Sequence, residues 1–281
     1  MNDDYVIVSL STIPPRFEKL QRTLESLLNQ SLPADEINLY IPKRYKRFGS
    51  YDLEKLFVPE GVTIKIVEHD MGPATKVLPC VLENRDEKVF IVYCDDDRIY
   101  ASDWLEELVC ELRRRPRHVI VAAGAQLDET YKIKCDKRPK LPRAVDKRVK
   151  YDLGYSLGRL KQFGRWVCGL DAPRPHRKLY EAGGYVDIAM GVGGVALRPK
   201  DFPEVAFSIP QIGWPVDDIW LSGCLAINER YIWASDKVSL STATEASNIE
   251  GLAGSTFDGK GRSVNDLECI DHLRAVYGIW T

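Results

Sequence analysis

Long apolar runs are missing from this chain. No segment approaches the roughly 18 uninterrupted apolar residues of a membrane-spanning helix, so no such span is expected. A charge surplus is missing too. Lys and Arg number 39 against 41 Asp and Glu, a net charge of −2, so no overall basic field argues for a nucleic-acid partner. The seven cysteines are odd in number, scattered and without a CxxC pair, which argues against a disulfide framework or a zinc finger and for reduced thiols. The first residues, MNDDYVIVSLS, carry acids where a secretory leader carries bases, and their apolar run is short. A cytoplasmic location is therefore expected. With no internal repeat and no linker-like stretch, the 281 residues read as one domain.

What is present is organised around Lys88 to Tyr100, KVFIVYCDDDRIY. Val89 to Tyr93 form a short apolar run rich in β-branched and aromatic residues, as in a strand buried on both faces of a parallel sheet. It stops at Cys94 and three consecutive carboxylates, Asp95, Asp96 and Asp97. In open α/β sheets the ligand crevice lies at the carboxyl ends of the strands, where this triplet falls. Hard divalent ions favour such oxygen ligands and bridge them to substrate phosphates. The residues alone leave a solvated acidic turn open as well.

Further strands are expected at Tyr5–Leu10, Ile37–Ile41, Val62–Val67 and Val119–Ala123. Helices are expected from about Pro15 to Asn29, from near Lys76 to Leu82, and from Trp104 to about Arg114 behind a Ser102–Asp103 cap. This β-α-β-β-α-β-α-β order implies right-handed crossovers and a mostly parallel sheet.

Residues 132–150 hold nine Lys or Arg against two Asp, a basic loop that is either simply solvated or a patch for an anionic acceptor or membrane face. Beyond it, 151–184 shows little recognisable structure. Val186 to Arg198 reads as strand, glycine turn and strand, and Asp217-Asp218 open an amphipathic helix to about Asn228. Lys237 to Lys260 reads as a flexible loop, and Asn265 to Gly278 as a closing helix.

Taken in order, SLSTIPPR, ESLLNQS, Gly72-Pro73-Ala74-Thr75-Lys76, the aspartate triplet and Val216-Asp217-Asp218-Ile219-Trp220-Leu221-Ser222-Gly223 resemble the motifs of GT-A fold, nucleotide-sugar-dependent glycosyltransferases with a DxD motif, in the manner of family 2. The resemblance covers most of residues 4 to 230. It departs from the family in having three consecutive aspartates. It implies a Rossmann-type α/β/α sandwich. About 1–130 would form the nucleotide-sugar-binding half, and about 151–281 a C-terminal, acceptor-binding half.

The resemblance also implies roles. Asp97 would be the direct ligand of Mn²⁺ or Mg²⁺, with Asp95 and Asp96 reaching the ribose, the donor sugar or metal-bound water. Ser11, Thr12 and Arg16 would contact base and phosphate, Asp70 the uracil or ribose, and Lys76 the diphosphate. His272, ahead of His176, is the candidate for a further metal ligand. Gly193 and Gly194 would form the floor under the sugars, and Trp214, ahead of Trp166, Trp220 and Trp233, would stack on one. Asp218 matches the base of inverting members, while a plain helix cap remains open for Asp217 or Asp218. The implied activity is metal-dependent transfer from a UDP-sugar to a glycan or other hydroxyl acceptor, anionic or lipid-linked, with peripheral membrane contact through 132–150. A retaining transferase, a nucleotidyltransferase and a non-catalytic carbohydrate- or nucleotide-binding protein are the alternatives. STIPPR is a poor match to the glycine-rich loop of the nucleotidyltransferase.

Overall fold

The apolar runs of the first half pair side by side in one sheet. A computed structural model describes residues 4–135, 141–251, 256–257 and 259–281. Its strands are β1 (Tyr5–Ser11), β2 (Glu36–Pro42), β3 (Val62–Val67), β4 (Val89–Tyr93), β5 (His118–Val121), β6 (Gly184–Val186), β7 (Val195–Leu197) and β8 (Tyr231–Ala234). They lie in the order β6-β8-β5-β7-β4-β1-β2-β3. The β1–β2, β2–β3, β1–β4 and β5–β8 pairs are parallel. β7 runs antiparallel between β4 and β5, setting Val195 opposite both Tyr93 and Val121. The second half of the chain thus completes the middle of the sheet that the first half begins.

Every residue of β4 is buried, as its uninterrupted apolar run requires. On one face, Leu24 and Leu27 of helix α1 (Gln21–Leu28) and Leu105 and Leu108 of α3 (Trp104–Arg114) pack on Val8, Leu10 and Val92. On the other, α2 (Leu78–Glu83), α5 (Asp217–Ile227) and α6 (Arg262–Tyr277) cover Ile7, Ile91, Tyr93 and Val121. This is the α/β/α sandwich with a mostly parallel sheet expected from the pattern. Among the described residues no helix is long and apolar enough to cross a membrane.

Several local expectations change. The first helix is preceded by a 3-10 turn at Pro14–Lys19, and a second 3-10 turn at Gly72–Lys76 precedes α2, because prolines at their first positions favour a tight start. Asp103 sits at the N-cap of α3 without donating or accepting a capping bond through its side chain. The stretch expected to lack structure contains a fifteen-residue helix, α4 (Leu153–Val167), whose N-cap Asp152 accepts from the Tyr155 amide at 3.1 Å. Of the loop expected at 237–260, residues 239–251 are held in place. Thr244 N donates to Asp97 O at 2.9 Å and Arg16 Nε donates to Ile249 O at 2.9 Å. Within the basic stretch 132–150, residues 136–140 lie outside the described residues. The remainder includes a two-residue ladder of Val145–Asp146 with Tyr180–Ala182, and an Arg143–Asp187 ion pair of 2.6 Å.

Candidate active site

The carboxyl ends of β1 and β4 open into a cavity of about 470 Å³. Ser11, Thr12, Arg16, Asp70, Lys76, Asp95, Asp96, Asp97, Trp214, Asp217 and Asp218 all line it. Eleven of the residues singled out from the sequence are thereby brought together from four separate segments.

The aspartates are not equivalent. Asp96 points back into the fold, accepting from Thr12 Oγ1 at 2.6 Å and from Arg16 Nη1 at 2.5 Å, while its backbone carbonyl takes the Thr23 hydroxyl at 2.8 Å. Burial pushes its carboxyl up to about 6 against the pull of Arg16 and Thr12. Asp96 therefore secures the turn after β1 while lining the cavity. Tyr45 supports the same turn by donating to Thr12 O at 2.7 Å.

Asp95 faces Lys76, whose Nζ lies 2.7 Å from its Oδ1. Burial alone would raise Asp95, but the charge and hydrogen bond of Lys76, together with the charges of Arg98 and Arg16, hold the carboxyl low. Among the described residues Asp97 has only Arg16 Nη2, at 3.3 Å, as a paired cation, and burial and Asp95 together raise it.

Lys76 is the hinge of the arrangement. Its Nζ also lies 2.9 Å from Asp217 Oδ2, off the line of a hydrogen bond, so that buried oxygen is paired by charge alone. Desolvation disfavours the ammonium, but Asp217, Asp95 and Asp218 overcome it and raise Lys76 well above its ordinary value. A cation bridging carboxylates from β4 and α5 ties together the two halves of the chain.

Neither Asp217 nor Asp218 caps α5, since Val216 occupies the cap position and no side chain closes it. Asp218 instead accepts from Gly191 N at 3.1 Å and lies 3.5 Å from Arg262 Nη2. Burial, with the Asp217 charge beside it, pushes its carboxyl up to about 7 despite Lys76 and Arg262. Asp218 and Arg262 border a second cavity of about 410 Å³, which also carries Glu129, Tyr131, Asp146, Tyr180 and Asp266.

Asp70 spends both oxygens on backbone amides, Lys46 N at 2.7 Å and Gly72 N at 2.8 Å, and so fixes two loops at the cavity rim. Trp214 donates from Nε1 to Asp70 O at 3.4 Å, with Lys46 Nζ 5.1 Å from its ring centroid.

Three expected residues fall elsewhere. Gly193 and Gly194 do not line the cavity. They sit behind it, where Gly193 O accepts from Trp104 Nε1 at 2.7 Å. The glycine that touches the charged groups is Gly191, where a Cβ would stand 2.5 Å from Lys76 Nζ and 3.0 Å from Asp95 Oδ1. His272 is also absent from the lining, and its ring packs 6.2 Å from Tyr277 on α6. Sequence reasoning missed Gly191, Arg98 and Arg262. Arg98 follows the triplet directly and so carried a signal, whereas Arg262 stands 44 residues beyond Asp218 with no motif to mark it.

The donor set suits a hard divalent ion in a limited sense. Among the described residues no group of three or more His, Cys, Asp or Glu is arranged around a common point. Magnesium, however, is commonly held by one or two carboxylates and the substrate's phosphates. The cavity lining has six aspartates against the five cations Arg16, Arg47, Lys76, Arg98 and Arg262, hence no positive surplus to receive a diphosphate by itself. Asp97, raised by burial and by the Asp95 charge beside it, would together with Asp95 fit such an ion.

Neither a protein-family model nor a curated protein sequence matches the chain. Among solved structures, S. aureus TarS 1-349 in complex with UDP-GlcNAc is similar at 12% identity and a TM-score of 0.47, over 97% of this chain and 66% of that one. The same fragment in complex with UDP aligns at 12% identity and a TM-score of 0.43, over 86% of this chain. The match spans 61% of that TarS fragment and, in a longer TarS crystal structure, 39%.

Proposed function

We propose that the protein is a glycosyltransferase that moves a sugar from a UDP-sugar to a hydroxyl of a glycan acceptor with inversion, Asp218 acting as the base. The observation that carries this reading is the place of Asp218, in the wall between the aspartate-lined cavity and a second cavity of about 410 Å³. The donor diphosphate would lie against Lys76 and Arg16, with Trp214 and the Asp70 rim beside the nucleoside or sugar. Mn²⁺ or Mg²⁺, held by Asp97 and Asp95, would supply Lewis-acid stabilisation of charge on the departing diphosphate. The acceptor oxygen attacks the anomeric carbon, the bond from that carbon to the phosphate oxygen breaks, and UDP leaves with the electron pair. Asp218 takes the hydroxyl proton. A carboxyl raised to about 7 is matched to that task near neutral pH, since a base is most effective when its affinity for protons is close to ambient.

The second cavity carries Glu129, Asp146, Asp218 and Asp266 against Arg262. That balance favours a neutral polyhydroxyl acceptor over an anionic one. The deciding experiment measures UDP release from a panel of UDP-sugars by the purified full chain, with Mn²⁺ and with EDTA, and the anomer of the product. Asp218→Asn should bind UDP as the parent does and lose transfer. Absence of binding to every UDP-sugar would overturn the reading, and retention of the donor's anomeric configuration would overturn the role of Asp218.

A further inference from the structure

Helix α4 is built the wrong way round for a helix of a soluble domain. Leu153, Leu157, Leu160, Phe163 and Val167 recur at helical spacing along one face, and they are 76, 61, 66, 60 and 63% exposed. An amphipathic helix on a domain normally turns such a stripe inward. Here the face toward the protein is made by Tyr155, Gly158 and Gln162, the three helix residues that are partly covered. Gly158 abuts the Pro175 ring, where a Cβ would stand 2.9 Å away, and Gln162 Nε2 donates to Ala172 O at 2.8 Å. Arg174 Nε donates to the Tyr155 hydroxyl at 3.3 Å, and the Arg177 guanidinium lies 5.7 Å from the Tyr155 ring centroid. The polar and small side is therefore anchored, and the apolar side projects outward.

We propose that α4 lies in the surface of an anionic lipid bilayer and docks the protein there. The charge pattern selects this occupant. Between Leu153 and Val167 the helix has three cations, Arg159, Lys161 and Arg165, and no acid. At 100° per residue they flank the apolar stripe, Lys161 and Arg165 on one side and Arg159 on the other. Exposed Trp166 sits beside Arg159, at the level where an aromatic ring meets lipid headgroups. Arg148 and Lys150 precede the helix directly, adding cations close to a negative surface, while Lys147 pairs with Asp152 at 3.1 Å. A basic helix with an apolar face and low overall hydrophobicity is the arrangement that binds in the interface plane. A second copy of the same helix would bring these cations together and be repelled.

The docking element is tied to the cavity. Arg177–Lys178, just past the helix, pair with Ser239–Leu240. The next residue, Ser241, accepts from Arg98 Nε at 3.0 Å and donates to Val192 O. A chain of contacts thus runs from the segment after α4 to Arg98 and Val192, which line the cavity. The inference stands on the helix and does not require the sugar-transfer reading.

The test is co-sedimentation of the full chain with vesicles of phosphatidylcholine alone and of equal parts phosphatidylcholine and phosphatidylglycerol. The expected result is binding to the anionic vesicles only, weakened by salt, with a blue shift of tryptophan emission that Trp166→Phe abolishes. The triple variant Leu157→Asp, Leu160→Asp, Phe163→Asp should lower the bound fraction about tenfold or more, since it removes the inserted face. Those side chains are exposed, so its melting temperature should match the parent's. Equal sedimentation of parent and triple variant with anionic vesicles would overturn the proposal. So would a parent that stays in solution, or one that forms a dimer which Leu160→Asp disperses while neither binds lipid.

Discussion

Replacing Lys76 by Met keeps much of the side chain's bulk and removes its charge. Lys76 Nζ stands 2.7 Å from Asp95 and 2.9 Å from Asp217, with its side chain only 8% exposed. Breaking a buried ion pair by deleting one partner costs about 3–5 kcal/mol, because the charge left behind has neither water nor a partner. For a chain of this size that corresponds to a fall in melting temperature of roughly 10 °C near neutral pH. The sign of the pH dependence follows from Asp95. In the parent its carboxyl is held low, so its contribution to stability is present above the unfolded value near 4 and is lost as pH falls through the folded one. In Lys76→Met the strongest opposing charge is gone, and burial raises that carboxyl against Arg98 and Arg16 alone. The variant is then at its best in acid and loses stability as pH rises. Melting curves of both proteins from pH 4.5 to 8.5 should show a gap that is widest at pH 8.5 and closes toward pH 4.5. A gap that stays constant across the range would refute the electrostatic account and leave Lys76 as a packing residue.

Asp218→Asn should abolish turnover yet raise the melting temperature above pH 7. A carboxyl raised to about 7 in the fold destabilises it once ionised, and that gain should vanish near pH 4, where both folded and unfolded carboxyls are protonated. In the parent, kcat/KM with the true donor should fall below about pH 7 as Asp218 takes up a proton, and a profile flat from pH 5 to 8 would remove it as the base. Gly191→Ala should weaken UDP binding, read by calorimetry, because its Cβ would stand 2.5 Å from Lys76 Nζ. Gly194→Ala should act on stability instead, by about 2 kcal/mol or more in urea melts, since φ is +88° and a Cβ would stand 2.3 Å from the Trp104 ring.

The part of the cavity lining supplied by the first half of the chain was legible in the sequence for a physical reason. Thr12, Arg16, Lys76 and Asp95 to Asp97 each follow a buried strand or open a helix, and in a parallel sheet those positions converge at one edge. The chain's remaining contributions had no such marker. Arg262 reaches Asp218 only because α6 packs against α5, a tertiary fact without local signature. The resemblance pointed to Gly193 and Gly194, whereas the close approach to Lys76 belongs to Gly191. That Asp96 also ties down the turn after β1, through Arg16 and Thr12, had no local marker either.

Helix α4 escaped for a different reason, which bears on how periodicity is used. Its leucines repeat at the spacing of an amphipathic helix, but glycines at 154, 158 and 164 lower helix propensity and interrupt the pattern. The usual test of a helix asks which core it covers, and this one covers none. Gly158 is what lets the helix approach Pro175, and Asp152 caps its start, so local chemistry sustains it without an apolar contact to the domain. Five large side chains left facing outward represent hydrophobic free energy that folding of this chain does not use. Among the described residues nothing covers this apolar face, and a patch of that extent rimmed by cations marks an interaction site. The same side-chain spacing that marks a core-facing helix therefore marks a docking helix when the opposite side carries Gly, Gln and Tyr. The residues that distinguish the two cases are the polar ones, not the leucines.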